Sequence, residues 1–265
     1  MRKIHNKAQD EKIDEVVNSV KEALFSSVEQ DENQFQQMLD SLRNLMVIES
    51  EESSGFIWDF SKEKTEEIFC FNDTLILKPI TNIYHDDYLK TRDVYSDNSP
   101  SAYINPVFKE VFIKEINDEN ALFMAVIRKT DDTYLGYAGI KDTSKKIWEI
   151  CIELLPKYCH KGYGYIAMKS FLKKLSEITK NDKMQFRALV EVDNIASQKL
   201  MLKLGGKLEG IYDYTFHNIE RAEKFEEAHL EEITEHMIEL ATELKVEPRK
   251  LLSHILDYRI FAEKL

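Results

Sequence analysis

Residues 156–164 of this chain, Pro156-Lys157-Tyr158-Cys159-His160-Lys161-Gly162-Tyr163-Gly164, limit its fold more than any other stretch. The run 147–155 before them reads as a strand. Apolar residues at helical spacing follow them: Ile166, Met168, Phe171, Leu172 and Leu175. A strand that turns through glycines into a helix N-terminus presents free amides, and the helix dipole adds roughly half a positive charge there. Gly162 and Gly164 are expected to supply positive φ and room for close approach. His160 and Lys161 add positive charge beside them. Such a turn suits a phosphate or pyrophosphate. A nucleotide-triphosphate loop is excluded, because the chain has no Gly-x-x-x-x-Gly-Lys-Ser/Thr run. The dinucleotide fingerprint needs three glycines, and this turn has two. Taken alone, the turn is equally compatible with a plain tight connection.

At 265 residues and 43% hydrophobic, the chain is long and apolar enough to bury a full core. Its longest apolar run, 121–127, is the size of a strand and far short of the ~18 residues that span a membrane. The basic start, Met1 to Lys7, is not followed by an apolar stretch, so no secretory signal is expected. Three cysteines without metal spacing fit a reduced, cytoplasmic setting. The net charge of −12 argues against nucleic acid and is compatible with a cationic acceptor, although acidic balance also serves solubility.

Residues 1–50 read as a helical pair. Ile13, Val16, Val17, Val20, Leu24 and Val28 line one helix; Phe35, Met38, Leu39, Leu42, Leu45 and Met46 line the other. A homodimer contact is one role for such faces. A polar linker is expected over 51–67. From 68 onward we expect a hairpin around Asn72-Asp73, then a helical region over 81–117. Strands should follow near 121–129, 133–141 and 147–155, a helix from Tyr165, a strand over 184–192, and a helix over 194–204. The stretch 219–247 reads as helical. Residues 254–261 alternate like a strand, and a helix through 249–262 is the rival reading, since Pro248 suits a helix start as well as a break.

The turn and its flanks resemble the acyl-CoA-binding core of the GCN5-related N-acetyltransferases, the GNAT superfamily. That family's Arg/Gln-x-x-Gly-x-Gly/Ala pattern falls on Cys159-His160-Lys161-Gly162-Tyr163-Gly164. A second block, Val192-Asp193-Asn194-Ile195-Ala196-Ser197 followed by Leu202-Lys203-Leu204-Gly205-Gly206-Lys207-Leu208-Glu209-Gly210, is similar to the branch of ribosomal-protein and N-terminal amine acetyltransferases. The resemblance implies an α/β fold: a central mixed sheet with splayed fourth and fifth strands, extended here by the N-terminal helical hairpin. Residues 68–265 would be the acetyltransferase domain, with a C-terminal helical insertion at about 219–247 in its last hairpin. That hairpin borders the acceptor site in relatives.

What the resemblance implies about chemistry is acetyl transfer from acetyl-CoA, as cosubstrate, to the primary amine of a small molecule or a protein N-terminus. Cofactor contacts would come from Ile152, Glu153 and Leu154, mostly by main chain, then from Cys159, His160, Lys161, Gly162, Tyr163, Gly164 and Tyr165, and from Asn194. The catalytic candidates are Glu149, as base, and Ser197, near the thiol. Glu153, Glu191 and Asp193 are other carboxylates within the same region. Three positions depart from the family: Cys159 replaces Arg or Gln, Met201 stands where many relatives carry a general-acid tyrosine, and Gly206 replaces phenylalanine. They keep a second reading open, that of a catalytically silent acyl-CoA-binding or protein-interaction module. His229, Glu232 and His236 share a helical stripe, but no metal motif supports a ligand set there.

Overall fold

The computed structural model describes residues 59–65, 67–95, 106–181, 183–213, 216 and 218–265. The helical pair expected at 1–50 lies outside them. Within the expected linker, Ser61–Thr65 forms a short helix, α1.

Eight strands make one sheet in the order β1-β2-β3-β4-β5-β6-β8-β7. They are β1 Cys70–Phe71, β2 Leu75–Pro79, β3 Leu122–Arg128, β4 Thr133–Ile140, β5 Trp148–Leu154, β6 Gln185–Val190, β7 Lys207–Tyr212 and β8 Ile255–Phe261. Every neighbouring pair is antiparallel except β5–β6, which is parallel. The sheet is mixed and the fold is α/β, as the sequence implies. The splayed strands are the fifth and sixth in chain order, because Cys70–Phe71 adds a strand ahead of β2. Its hairpin is wider than a two-residue turn: Phe71 pairs with Ile76, and the Asn72 side chain accepts from the Thr74 and Leu75 amides at 2.8 and 2.9 Å.

Helices cover both faces, which is why β3 is buried along nearly its whole length rather than alternating. On one face lies α4, Tyr163–Thr179, whose Ala167, Met168, Phe171, Leu172 and Leu175 share a core with Leu77, Trp148, Ile150 and Phe186. On the other lie α2, His85–Val94, and α3, Pro106–Asn117. There Tyr88, Leu89 and Ile116 pack with Phe123, Ile127 and Tyr137. The rings of Tyr88 and Tyr137 meet edge-on at 4.8 Å.

The C-terminal part departs from one continuous helix over the expected stretch 219–247. Two helices form, α6 Ile219–Ala228 and α7 Glu235–Leu244, separated by a 3-10 turn at Leu230–Glu232. The cause is local: Thr234 caps α7 by accepting from the Met237 amide at 3.2 Å. Leu240 and Ala241 of α7 join the core shared with Met201 and Leu204, on the α4 side of the sheet. Glu226 of α6 is fully buried, and it binds the Ser253 hydroxyl at 2.6 Å and Lys250 at 3.0 Å just before β8.

Helix α5, Ile195–Lys203, ends at Gly205 with φ +79°, and the Gly206 amide returns to the Met201 carbonyl at 2.9 Å. A Cβ at Gly206 would come within 2.7 Å of that carbonyl. The position where relatives carry phenylalanine has no room for any side chain. Met201 itself is a core residue, 3% exposed.

Candidate functional site

Strands β5 and β6 pair at only two positions, Trp148 with Phe186 and Glu149 with Arg187. Beyond them β5 runs on to Leu154 and β6 to Val190 with no further pairing between them. The sheet therefore opens into a split. The ladder with β4 fixes which groups face it. The Glu149 carbonyl accepts from Lys141, and the Leu155 amide donates to Leu135, both on the β4 side. Backbone groups alternate along a strand, so those of Ile152 and Leu154 face the split. The Glu153 carbonyl is turned to β4, where a Cβ on Gly136 would lie 2.1 Å from it. Of the three strand residues expected to meet a cofactor by main chain, Ile152 and Leu154 are aimed at the split and Glu153 is not.

The loop follows directly. Pro156–Tyr158 makes a 3-10 turn, closed by Tyr158 to Leu155 at 2.8 Å and Cys159 to Pro156 at 3.1 Å. His160 and Gly162 then take positive φ, 58° and 82°. Gly162 is the N-cap of α4, has no capping side chain, and faces open space where a Cβ would stand. The helix starts at Tyr163, two residues before the expected Tyr165. Gly164 is thus helical and does not use its freedom of φ; a Cβ there would make ordinary contacts with Leu200, Ile152 and Leu154 at 3.6–3.8 Å. The amides of Tyr163, Gly164 and Tyr165 belong to the first turn, which has no intrahelical acceptors. Beside them Tyr165 lies under two cations, Lys203 at 4.4 Å and Lys169 at 5.7 Å from its ring centre. This is a basic, amide-rich corner on a chain of net charge −12.

Asn194 and Ser197 lie across the split. Asn194 is the N-cap of α5, and its side-chain oxygen accepts from the Ser197 amide at 3.0 Å. Buried Gln198 ties the end of β6 to this helix by donating to the Val192 carbonyl at 2.7 Å, and it also meets His236 of α7 at 3.2 Å. His229 instead packs on Phe225 and bonds its carbonyl, so the two histidines serve different elements.

Glu149, Cys151 and Glu153 alternate with Trp148, Ile150, Ile152 and Leu154, and so occupy the face of β5 away from α4. Glu149 is held by Lys141 at 2.5 Å. Glu153 is held by Arg92 of α2 at 2.8 Å. Glu191, just past β6, has its carboxyl raised above the ordinary range by partial burial and by the neighbouring charge of Asp193. Next to Glu149, Arg187 grips Asp257 through Nε and Nη2 at 2.9–3.2 Å, and Arg259 reaches the same carboxylate at 2.8 Å. Arg187 also stacks on Tyr212 at 4.7 Å.

Sequence reasoning missed Arg92, Tyr95 and Tyr137. The Tyr95 hydroxyl donates to the Leu154 carbonyl and lies 3.6 Å from Cys159 Sγ. These contacts join residues about sixty positions apart, and no local motif announces them. Cys159, which replaces the family's polar residue, leans on the Leu154 and Leu155 carbonyls at 3.5 and 3.7 Å, so here it fastens the loop to the strand.

A split between parallel strands, beside an uncapped helix N-terminus, defines the class to which comparison with known proteins also leads. The family model of the GNAT acetyltransferase domain matches residues 75–207, half of the chain. The chain belongs to the GNAT acetyltransferase family. Among solved structures, a point mutant of a spermidine N-acetyltransferase from Vibrio cholerae aligns with a TM-score of 0.51 at 14% identity, covering 73% of this chain and 96% of that one. A GNAT-family acetyltransferase from Bacillus anthracis aligns with a TM-score of 0.49 at 17% identity, over 73% and 98% of the two chains. Comparison with curated proteins gives no match. Among the described residues no helix is long and apolar enough to cross a membrane.

Proposed function

We propose that this protein transfers the acetyl group of acetyl-CoA to a primary amine. The observation that supports this best is the early end of β5–β6 pairing next to the amide-rich loop. On this reading an extended arm would lie between the strands and a pyrophosphate would bind at the turn at its mouth. Acetyl-CoA brings an activated thioester. The residues that would hold it are Ile152 and Leu154 through backbone groups, and Cys159, His160, Lys161, Gly162, Tyr163, Gly164 and Tyr165 around the pyrophosphate. Glu153 supports the strand through its side chain. Lys169 and Lys203 supply positive charge for further phosphate. Asn194 keeps its amide nitrogen for the arm while its oxygen caps α5.

The acceptor must lose a proton to become a nucleophile. We assign that task to Glu149, at the closed end of the split, acting directly or through water. The amine nitrogen bonds to the acetyl carbon, the carbon–sulfur bond breaks, and the thiolate leaves with the electron pair. We assign to Ser197, on the helix across the split, donation to the departing sulfur; Met201 has no proton to give. The raised carboxyl of Glu191 favours a second candidate base at the rim.

Turnover on a panel of amines tests the reading. Glu149→Gln should slow kcat by about 10²-fold or more, with acetyl-CoA still bound. If Glu191→Gln carries that loss instead, the base is at the rim. A wild-type protein that binds CoA yet acetylates no amine would favour the silent module.

A further inference from the structure

Past Glu149, β5 has lost β6 as a neighbour, yet its outer half is tied down. Two side chains at the end of α2 cross to it. Arg92 donates to Glu153 at 2.8 Å and to the Tyr137 hydroxyl at 3.0 Å, and its guanidinium lies 4.7 Å from the Phe112 ring centre. Three residues on, Tyr95 donates to the Leu154 carbonyl. That carbonyl is turned to the split. A strand edge without a partner leaves such groups wanting donors, and Tyr95 supplies one. The backbone groups of Ile152 and the Leu154 amide stay open to the split.

We propose that Arg92 and Tyr95 are positioning residues for the pantetheine arm of acyl-CoA, taking the place of β6 along the outer half of β5. Arg92 fixes the face of the strand through Glu153. Tyr95 fixes its edge through Leu154. Together they hold the remaining open groups in extended register, so an arm lying along the strand meets them without first ordering the chain. Neither residue touches reacting atoms. The amides of the pyrophosphate corner come from the loop and α4, and Tyr95 meets that corner only at Cys159 Sγ, 3.6 Å from its hydroxyl. The hydrogen bonds of the pair go to Glu153 and the Leu154 carbonyl on the strand, so its main effect is on the arm rather than on the phosphates. The inference rests on the acyl-CoA reading above.

The experiment is calorimetric titration of the full chain with two ligands: CoA, and the phosphoadenosine diphosphate half of CoA, which lacks the arm. Tyr95→Phe removes one oxygen. It should weaken CoA about five-fold, the net worth of one hydrogen bond, and leave the diphosphate half unchanged. Arg92→Gln should weaken CoA further, and Arg92→Lys should recover part of the loss. If the Arg92 variants fail to fold, Tyr95→Phe decides alone. An equal loss for both ligands would make Tyr95 a general support of the loop, and no loss for CoA would remove it from binding; either result overturns the proposal. Wild-type protein that binds neither ligand would overturn the acyl-CoA reading itself.

Discussion

The two halves of the sheet are held together differently. From β1 to β5 the strands form an antiparallel run packed on both faces by apolar side chains, with Leu75, Leu77, Leu122, Met124 and Ile127 almost wholly buried, and only β5 at its edge turns carboxylates, Glu149 and Glu153, to the face away from α4. From β6 to β7 the face away from α4 carries ions instead: Arg187, Asp257 and Arg259 on neighbouring strands, with Asp257 shared between two guanidiniums. Glu226, Lys250 and Ser253 repeat the arrangement at the base of β8. Apolar packing tolerates no gap and gives rigidity. Ion pairs on a partly open face fix directions and leave polar groups at hand. The split falls where the two kinds of construction meet, and Glu149 and Glu153 stand at that boundary on β5, on the sheet face that carries the ions.

The comparison is open to four perturbations. The largest effect is expected in the first half. Phe171→Ala should cost about 3–5 kcal/mol in urea unfolding, because a fully buried ring leaves a cavity between α4 and the sheet. In the second half, Asp257→Ala should cost about 3 kcal/mol, since it leaves buried Arg187 and half-buried Arg259 without that carboxylate. The double change Arg187→Met with Asp257→Leu should recover much of the loss. If Asp257→Ala is neutral, ions do not hold that half.

A smaller effect follows from pH. Burial pushes the Cys70 thiol up to about 12. The folded protein then keeps a proton that the unfolded chain releases near pH 8.5. Stability from this group is fully present below that pH and is lost as pH rises towards 12. Cys70→Ala should therefore lose less melting temperature than wild type between pH 8 and 10.5. The gentlest probe is thiol labelling near pH 8. Half-buried Cys159 should react first; burial protects Cys70 and raises the Cys151 thiol well above its ordinary range. CoA should slow the labelling of Cys159, and reaction at Cys151 first would contradict the described packing.

The first half was the more legible in sequence. Strands β3, β4 and β5 fall within a residue or two of the alternation and turn signals, since local patterns suffice where a ladder is regular. The loop was legible too, although its helix begins at Tyr163. The positive φ beside Gly162 belongs to His160, which a search for glycines overlooks. The Thr234 cap was present in the sequence and outweighed by apolar periodicity, so two helices read as one. The carriers of the site's support, Arg92 and Tyr95, were not legible at all. Their partners lie on another strand, and only the folded sheet brings them together. The same holds for Gly206, which reads as a lost aromatic anchor and is instead a point of backbone contact.

The most direct measurement is thermal unfolding with and without acetyl-CoA, on wild type and on Gly162→Asp. No atom stands where a Cβ at Gly162 would go, but its φ of +82° strains any side chain there, so each protein is compared with its own ligand-free baseline; the aspartate puts a carboxylate beside the free amides of the first turn. It would occupy the phosphate position with its own negative charge. Acetyl-CoA at about 100 times its dissociation constant should add roughly 2.7 kcal/mol to wild type and little to the variant. Equal shifts in both proteins, or no shift in wild type, would contradict an acyl-CoA site at this loop.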